Sequence, residues 1–474
     1  MKKNYIVVDL DGTIIRTDLF IESTIKVIKQ NPLNFFRVVW WLFHGWAYVK
    51  DRLAGLVDIN VEYLPYELDV LDYLKDKKSQ GNFLILATAS HKIYAERVAS
   101  HLGIFDRVLA SDGKTNLKGL NKLRKIREII GDESFIYAGN SAADRPIWKA
   151  AVGNIFVNAP RSDVKRAKIF GKSEKVITTK HLAVYAFIKQ MRPHQWAKNV
   201  LIFIPLFTSH SYFEPKLLLF SLLAFLCFSL CASGVYFLND LLDLEADRRH
   251  KTKRFRPLAS GNLSLFLGLV GAIVLPLIAF ALAVSLLPLA FLIVLTLYYF
   301  LSNAYSLFLK SISTADIMVL AILYTLRIIA GASAVDLELS SWLLAFSMFV
   351  FVSLANLKRY IEISSLSDNQ PKAHGRGYSK KDSETLFSLG IANITASTLV
   401  LALYVSSKEV MSQYQRPEIL WFLCFLMLYW SNRIWVGARR GKISDDPVAF
   451  ALKDSVSRII GVMFIVTVVL AKYL

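Results

Sequence analysis

The sequence predicts two bodies of different class: an α/β Rossmann-like domain with a helical cap over residues 1–180, then an all-α bundle of nine transmembrane helices over 198–474, joined by an amphipathic linker at 181–197. Three observations predict it. Up to about residue 180, short apolar strands alternate with charged helical stretches, the pattern of a water-soluble α/β unit. From Val200 onward, runs such as Leu217 to Leu238 and Phe266 to Phe300 are long and nearly uncharged, and roughly 20 apolar residues suffice to cross a bilayer. The hydrophobic share of 54% over 474 residues exceeds that of a purely soluble chain, and the excess is concentrated in the second half.

The first domain opens on the strand Tyr5 to Val8, which Met1 reaches with no cleavable signal in between, so this domain is expected to stay in the cytoplasm. Residues 17 to about 75 follow as a helical cap. Within it, the run Asn34 to Val49 is too short to span a bilayer, includes Arg37 and is rich in tryptophan. An interfacial membrane helix and a buried cap helix fit that run equally well. Leu84 to Ser90 reads as another strand, and Leu182 to Met191 as an amphipathic stretch leading into the membrane domain.

Apolar runs place the spans at 198–213, 217–239, 263–285, 288–307, 313–334, 340–358, 385–405, 417–435 and 455–473. With the amino terminus inside, the outer turns carry Lys216, Lys408 and Arg416. The inner turns carry far more positive charge: Arg248, Arg249, Lys251, Lys253, Arg254 and Arg256 in one, Lys358, Arg359, Lys372, Arg376, Lys380 and Lys381 in another, and Arg433, Arg439, Arg440, Lys442 and Lys453 in a third. That asymmetry orients the bundle in the cytoplasmic membrane. It also explains the formal charge of +19 without a nucleic-acid partner, and membrane lipids are the expected surroundings. Cys227, Cys231 and Cys424 all fall in apolar spans, which leaves no disulfide framework or zinc spacing.

The most informative segment lies at the inner end of the second span, Asn239-Asp240-Leu-Leu-Asp243-Leu-Glu245-Ala-Asp247. On a continuous helix Asp240, Asp243 and Asp247 share one face, and three carboxylates so close repel unless a cation sits between them. Magnesium, which prefers oxygen ligands and bridges carboxylates to phosphates, is the natural occupant. This segment resembles the first aspartate-rich motif of the UbiA-type polyprenyl transferase superfamily, with every position of Asn-Asp-x-x-Asp-x-x-x-Asp present. The resemblance implies nine helices around a cavity that opens near the cytoplasmic face.

The chain departs from the superfamily at its second aspartate-rich motif, where it has Tyr305, Ser306, Lys310 and Asp316, with Tyr324 and Arg327 in the next span. Cations in place of acids shift the site toward direct binding of phosphate groups. The segments Arg192-Pro-His-Gln-Trp-Ala-Lys198-Asn199, Arg256-Pro-Leu-Ala-Ser-Gly261 and Lys358-Arg359-Tyr-Ile-Glu362 resemble the decaprenyl-phosphate phosphoribosyltransferase branch. That resemblance implies transfer of 5-phosphoribose from phosphoribosyl pyrophosphate to polyprenyl phosphate, with release of pyrophosphate. It assigns Asp240, Asp243 and Asp247 to magnesium, with Asn239 orienting or ligating. Lys253, Arg256, Lys310, Arg327, Lys358 and Arg359, with Tyr305 beside them, are candidates for phosphate binding, and Arg192 and Lys198 for the lipid phosphate.

In the first domain, the opening strand delivers Asp9-Leu-Asp11-Gly12-Thr13 to its carboxyl end, where open α/β sheets place their sites. With Thr88 ending a strand, Lys118 in Asn116-Leu-Lys-Gly, and Gly139-Asn140-Ser-Ala-Ala-Asp144 following, this resembles the haloacid dehalogenase superfamily. The resemblance implies that Asp9 attacks phosphorus, Asp11 protonates the leaving group, and Thr88 and Lys118 bind phosphate. It further implies a second magnesium held by Asp9, Asp144 and the Asp11 backbone carbonyl. Asn140 stands where many members have aspartate, which weakens that metal site. Fusion of the two domains suggests a relay in which the first removes the 5-phosphate that the second has transferred, yielding polyprenyl-phosphoryl-ribose for a cell-surface glycan. An aromatic prenyltransferase using prenyl pyrophosphate, or a membrane platform with a vestigial phosphatase domain, are the alternatives. Association of copies of the chain is left open.

Overall fold

The computed structural model describes residues 4–169, 171–179, 183–366, 376–443 and 447–474. Lys372, residue 180 and residues 181–182 of the linker lie outside the described residues. The chain forms two compact units, Met1–Met191 with Tyr236–Ile273, and Arg192–Val235 with Val274–Leu474.

The first unit is built on a six-stranded parallel sheet in the order β3-β2-β1-β4-β5-β6. Its strands are β1 (Tyr5–Val8), β2 (Phe83–His91), β3 (Arg107–Ser111), β4 (Phe135–Gly139), β5 (Gly153–Val157) and β6 (Ser173–Ile177). Ile6, Val8, Leu84 and Leu86 pack on one face of the sheet and Val7, Ile85, Ala87 and Tyr137 on the other. A sheet buried on both faces is why its strands read as unbroken apolar runs. Val8 pairs with Leu86 and with Ala138, so the carboxyl ends of β1, β2 and β4 finish side by side and bring Asp9, Thr88 and Asn140 to one edge.

Three helices, α1 (Leu19–Gln30), α2 (Asn34–Leu42) and α3 (Trp46–Leu56), make the cap around Val27, Val38, Val49, Leu53 and Val57. Asp18 starts α1 by accepting the Ile21 N–H at 3.0 Å. The cap is shorter than the expected 17–75. The next helix, α4 (Leu68–Ser79), buries Val70, Leu71 and Leu74 against the sheet and belongs to the α/β layer. The remaining helices of this layer are α5 (Lys92–Leu102), α6 (Leu120–Ile130), α7 (Arg145–Ala150) and α8 (Arg161–Ile169), followed by α9 (Ala183–Met191) in the linker.

Eight helices among the described residues are long and apolar enough to cross a membrane, and the protein is an integral membrane protein. The stretch expected as a first span, 198–213, is instead a 3-10 segment over Pro193–Phe203 and a short helix, α10 (Ile204–Thr208). Pro205 removes a backbone donor within that stretch and stands in the first turn of α10, where the 3-10 segment ends. The helices that follow are α11 (Pro215–Leu242), α12 (Leu244–Arg249), α13 (Leu265–Leu286), α14 (Leu289–Leu307), α15 (Ala315–Ala334), α16 (Ser341–Ser364), α17 (Ser383–Val405), α18 (Lys408–Gln413), α19 (Trp421–Arg439), α20 (Pro447–Lys453) and α21 (Ser455–Tyr473). Glycine permits close approach at two places in the second unit: a Cβ on Gly331 of α15 would fall on the Ile202 carbonyl, and one on Gly390 of α17 on the Trp435 ring.

Candidate functional sites

In the first unit, Asp9 is buried at the end of β1, and its Oδ1 accepts the Leu10 N–H at 2.8 Å. The buried Lys122 Nζ lies 2.9 Å from Asp9 Oδ1 and 3.6 Å from Asp144 Oδ1. Tyr137 completes this cluster, its hydroxyl accepting from Lys122 at 3.0 Å and donating to Asp144 at 2.7 Å. Asp144 Oδ2 also takes the Ser141 N–H at 3.0 Å and the Ser141 hydroxyl at 3.1 Å, so Asp144 is firmly oriented. Asp11 accepts the Leu19 N–H at 3.0 Å on one oxygen and the Ser90 hydroxyl on the other. Thr88 is fully buried and accepts the Ser90 N–H at 3.0 Å, which aims Ser90 at Asp11.

Burial pushes Asp9 up to about 6 against the lowering pull of Lys122. Burial, reinforced by the nearby Asp18 charge and opposed by the Ser90 hydrogen bond, pushes Asp11 up to about 7. Burial alone would lower Lys122, but Asp9 and Asp144 outweigh it and hold the ammonium above its ordinary value. The arrangement favours an ionised Asp9 beside a protonated Asp11, the division of labour that a carboxylate nucleophile and its general acid require.

Two features differ from the sequence reading. Lys118, chosen there for phosphate, is exposed and lies ahead of α6, whereas Lys122, in the first turn of that helix, reaches Asp9. The signal was present: Lys122, Ile126 and Ile130 are spaced by four and form the buried stripe of α6. A cap residue, Lys50 of α3, was also missed. Its Nζ donates to the Ala89 carbonyl at 2.5 Å and to Asn116 Oδ1 at 3.0 Å, and burial lowers its proton affinity even though Asp11 and Asp18 raise it. Gly12 sits at φ +74° with Asn140 so near that a Cβ would collide with its amide, which explains the glycine at that turn.

The aspartate-rich segment belongs to the same unit. The continuous helix expected under Asp240, Asp243 and Asp247 is interrupted, as α11 ends at Leu242 and α12 begins at Leu244 with Asp243 as its cap. Asp240 Oδ1 and Asp247 Oδ2 converge instead on Arg256 Nη1, at 3.0 and 2.7 Å. The buried Gln190 of α9, absent from the sequence reading, donates to Asp240 Oδ2 at 2.6 Å. Burial raises Asp247 above the ordinary carboxylate value while Arg256 opposes the rise. Asn239 is half-buried and Lys253 exposed.

Cap helix α1 lies along this segment. Lys29 Nζ is 3.1 Å from Asp243 and donates to the Leu242 carbonyl at 2.6 Å, and Lys26 pairs with Glu245 at 2.6 Å. Arg248 grips both oxygens of Glu22 at 2.7 and 3.0 Å, with both side chains buried, and donates to the Ala259 carbonyl at 3.1 Å. Among the described residues, no three acidic, histidine or cysteine side chains form a ready-made metal cluster.

In the second unit, Arg327 is buried within α15, donates to Asn199 Oδ1 at 2.8 Å, to the Tyr298 hydroxyl at 3.2 Å and to the Leu323 carbonyl, and stacks near Tyr298 and Tyr324. Arg359, expected at phosphate, is instead buried against Asp316 and also pairs with Glu362. Tyr305 ties this network together, donating to Asp316 at 2.8 Å and accepting from Arg359 at 2.9 Å and Arg376 at 3.0 Å. Lys310, Lys358, Arg192 and Lys198 are half-buried.

Residues 200–453, more than half of the chain, match the UbiA prenyltransferase family. The chain belongs to that family. Residues 6–149 match the haloacid dehalogenase-like hydrolases, so this UbiA member is a transferase fused to a phosphatase domain. An uncharacterized protein of Sinorhizobium fredii is 35% identical across 99% of this chain and 91% of its own length. The decaprenyl-phosphate phosphoribosyltransferase of Mycobacterium tuberculosis is 31% identical over 62% of this chain and 97% of its own length. The structure of a UbiA homolog from Archaeoglobus fulgidus bound to DMAPP and Mg2+ is similar with a TM-score of 0.46 at 16% identity, covering 59% of this chain and 96% of that one.

Proposed function

We propose that the membrane domain transfers 5-phosphoribose from phosphoribosyl pyrophosphate to polyprenyl phosphate, and that the amino-terminal domain then removes the 5-phosphate. The observation that carries the reading is Arg327: a buried cation whose hydrogen bonds, among the described residues, all run to neutral oxygens. Such a charge is costly until an anion joins it, and a substrate rich in phosphate supplies one. The similarity to the mycobacterial phosphoribosyltransferase, which spans nearly all of that enzyme, supports the choice of donor and acceptor.

In the transfer, an oxygen of the lipid phosphate bonds to the anomeric carbon as the bond from that carbon to pyrophosphate breaks, and pyrophosphate leaves. The lipid phosphate is already ionised, so no general base is needed. Arg327 holds phosphate inside the bundle, with Lys310 and Lys358 as further cations and Arg192 and Lys198 at the lipid phosphate. Arg359 and Tyr305 position the end of α15 through Asp316. In the hydrolysis, Asp9 Oδ1 is occupied by Leu10 and Lys122, which leaves Oδ2 to attack phosphorus. Asp11 gives its proton to the departing sugar oxygen, then takes one from the water that cleaves the aspartyl phosphate.

Magnesium fits both places. Asp240 and Asp247 already converge on one positive group, the Arg256 nitrogen, and Asp9 and Asp144 on another, the Lys122 ammonium. Asp240, Asp247 and Asn239 would hold one ion, and Asp9 with Asp144 and the Asp11 carbonyl the other, each neutralising phosphate charge. We place the phosphatase domain at 1–180 and the transferase at 198–474, in the cytoplasmic membrane with both sites facing the cytoplasm, making a ribosyl lipid for a cell-surface glycan.

The test is to supply the purified chain in nanodiscs with magnesium, polyprenyl phosphate and phosphoribosyl pyrophosphate and to weigh the lipid product, comparing wild type with Asp9→Asn. Lipid-phosphoribose from Asp9→Asn and lipid-ribose from wild type are expected. The same phosphorylated lipid from both removes the relay, and no lipid product from either removes the transferase reading.

A further inference from the structure

Helix α2 buries only Val38 and packs Trp41 partly against the cap core, while its other apolar side chains are exposed. Phe36, Trp40 and Phe43, at the i, i+4 and i+7 positions of one stripe, are 69%, 57% and 84% exposed, and Phe35, Val39 and Leu42 form an exposed stripe beside them. Arg37 is the one charged residue between Lys29 and Lys50. A water-facing cap helix does not retain so large a contiguous apolar face without a partner.

The neighbouring contacts identify that partner. Helix α1, three residues before α2, donates through Lys29 Nζ to the carbonyl of Leu242, the last residue of the candidate span Pro215–Leu242. Immediately ahead of α1, Arg16 lies so close to Gly261 that a Cβ there would collide with it, four residues before the span Leu265–Leu286 begins. The cap is thus fastened to the ends of two spans, at the level where the bilayer meets water, and α2 continues directly from that fastening. We propose that α2 is an interfacial helix whose Phe36, Trp40 and Phe43 face enters the acyl boundary of the bilayer, with Arg37 and His44 at the headgroups. Trp is enriched at the membrane–water interface, and Trp and Phe form the apolar face of helices that lie in it. The partner is the lipid bilayer itself, and its consequence is that the phosphatase cap rides on the membrane surface, where a lipid-borne phosphate ester would be met. The membrane contact stands independently of the relay; only that consequence rests on it.

The experiment uses the full chain in nanodiscs of phosphatidylcholine and phosphatidylglycerol. Spin labels at Phe36→Cys, Trp40→Cys and Phe43→Cys, each made separately, are compared with a lipid-facing control at Ile293→Cys and a water-facing control at Lys125→Cys. The expected result is that oxygen reaches positions 36, 40 and 43 while a nickel chelate is excluded, as at 293. Access of the nickel chelate equal to that at 125 overturns the proposal, and so does exclusion of both reagents, which would mean a second copy covers the helix. On the unmodified chain, a photoactivatable phospholipid should leave adducts on residues 34–46. Adducts on 265–286 with none on 34–46 would also overturn it.

Discussion

Removing the Glu22 carboxylate by Glu22→Ala leaves the Arg248 guanidinium buried without its acid. Both side chains are less than a tenth exposed, and both Arg248 Nη atoms lose their acceptor oxygens. Breaking a buried pair from one side costs about 3–5 kcal/mol. If that loss falls on local opening of the aspartate-rich segment, at about 1.4 kcal/mol per power of ten, amide exchange there should quicken by roughly two to three and a half powers of ten. The reporters are the amides of Asp247, Ser260 and Leu263, which bond within the segment at 2.8, 2.9 and 2.9 Å. Hydrogen exchange read by mass spectrometry on the full chain in nanodiscs measures them. Replacing both partners, Glu22→Leu with Arg248→Met, should return exchange to within about tenfold of wild type, because an apolar pair of similar volume leaves no stranded charge. Unchanged protection in Glu22→Ala, or a double variant as open as the single one, would refute the reasoning.

Three further outcomes are expected. Lys122→Met should lower hydrolysis of a soluble phosphate ester by about 10²–10³, the cost of losing one charge-stabilising donor, while Lys118→Met leaves it largely intact; steady-state assays of both variants check the ranking. The proton on Asp11 is held below about pH 7 and lost above it, so kcat for ester hydrolysis should fall as pH rises through that value. Ser90→Ala removes a bond that favours the ionised form, and its pH profile should therefore fall at higher pH than wild type. In the transferase, Asp240→Asn and Asp247→Asn should each abolish formation of lipid product. Asp243→Asn, whose acid pairs with Lys29 of the cap, should reduce it far less, as product mass spectrometry will show.

The fold class was legible because it rests on local pattern: buried parallel strands such as Leu84 to Ala87 are continuous apolar runs, and spans such as Leu265 to Leu286 are uncharged over their whole length. Asp9 and Asp11 were legible for the same reason, as a strand end is a local feature. What failed depends on where a helix starts or breaks. Lys118 and Lys122 differ by one helical turn, and only the start of α6 at Leu120 decides which of them faces Asp9. A one-residue interruption at Asp243 likewise divides the motif between two helices. Gln190 on Asp240 and Arg359 on Asp316 join residues 50 and 43 positions apart, which no periodicity reports.

The cohesion of Tyr236–Ile273 with the amino-terminal residues bears on how this fusion can be taken apart. Severing the chain near residue 191 would not yield two self-sufficient enzymes. It would strip Arg248 of Glu22, Asp243 of Lys29 and Asp240 of Gln190 in a single cut. The transferase has delegated part of the scaffolding of its own acidic motif to the domain ahead of it. Grafting another bundle onto this phosphatase domain requires carrying residues 236–273 along with the domain.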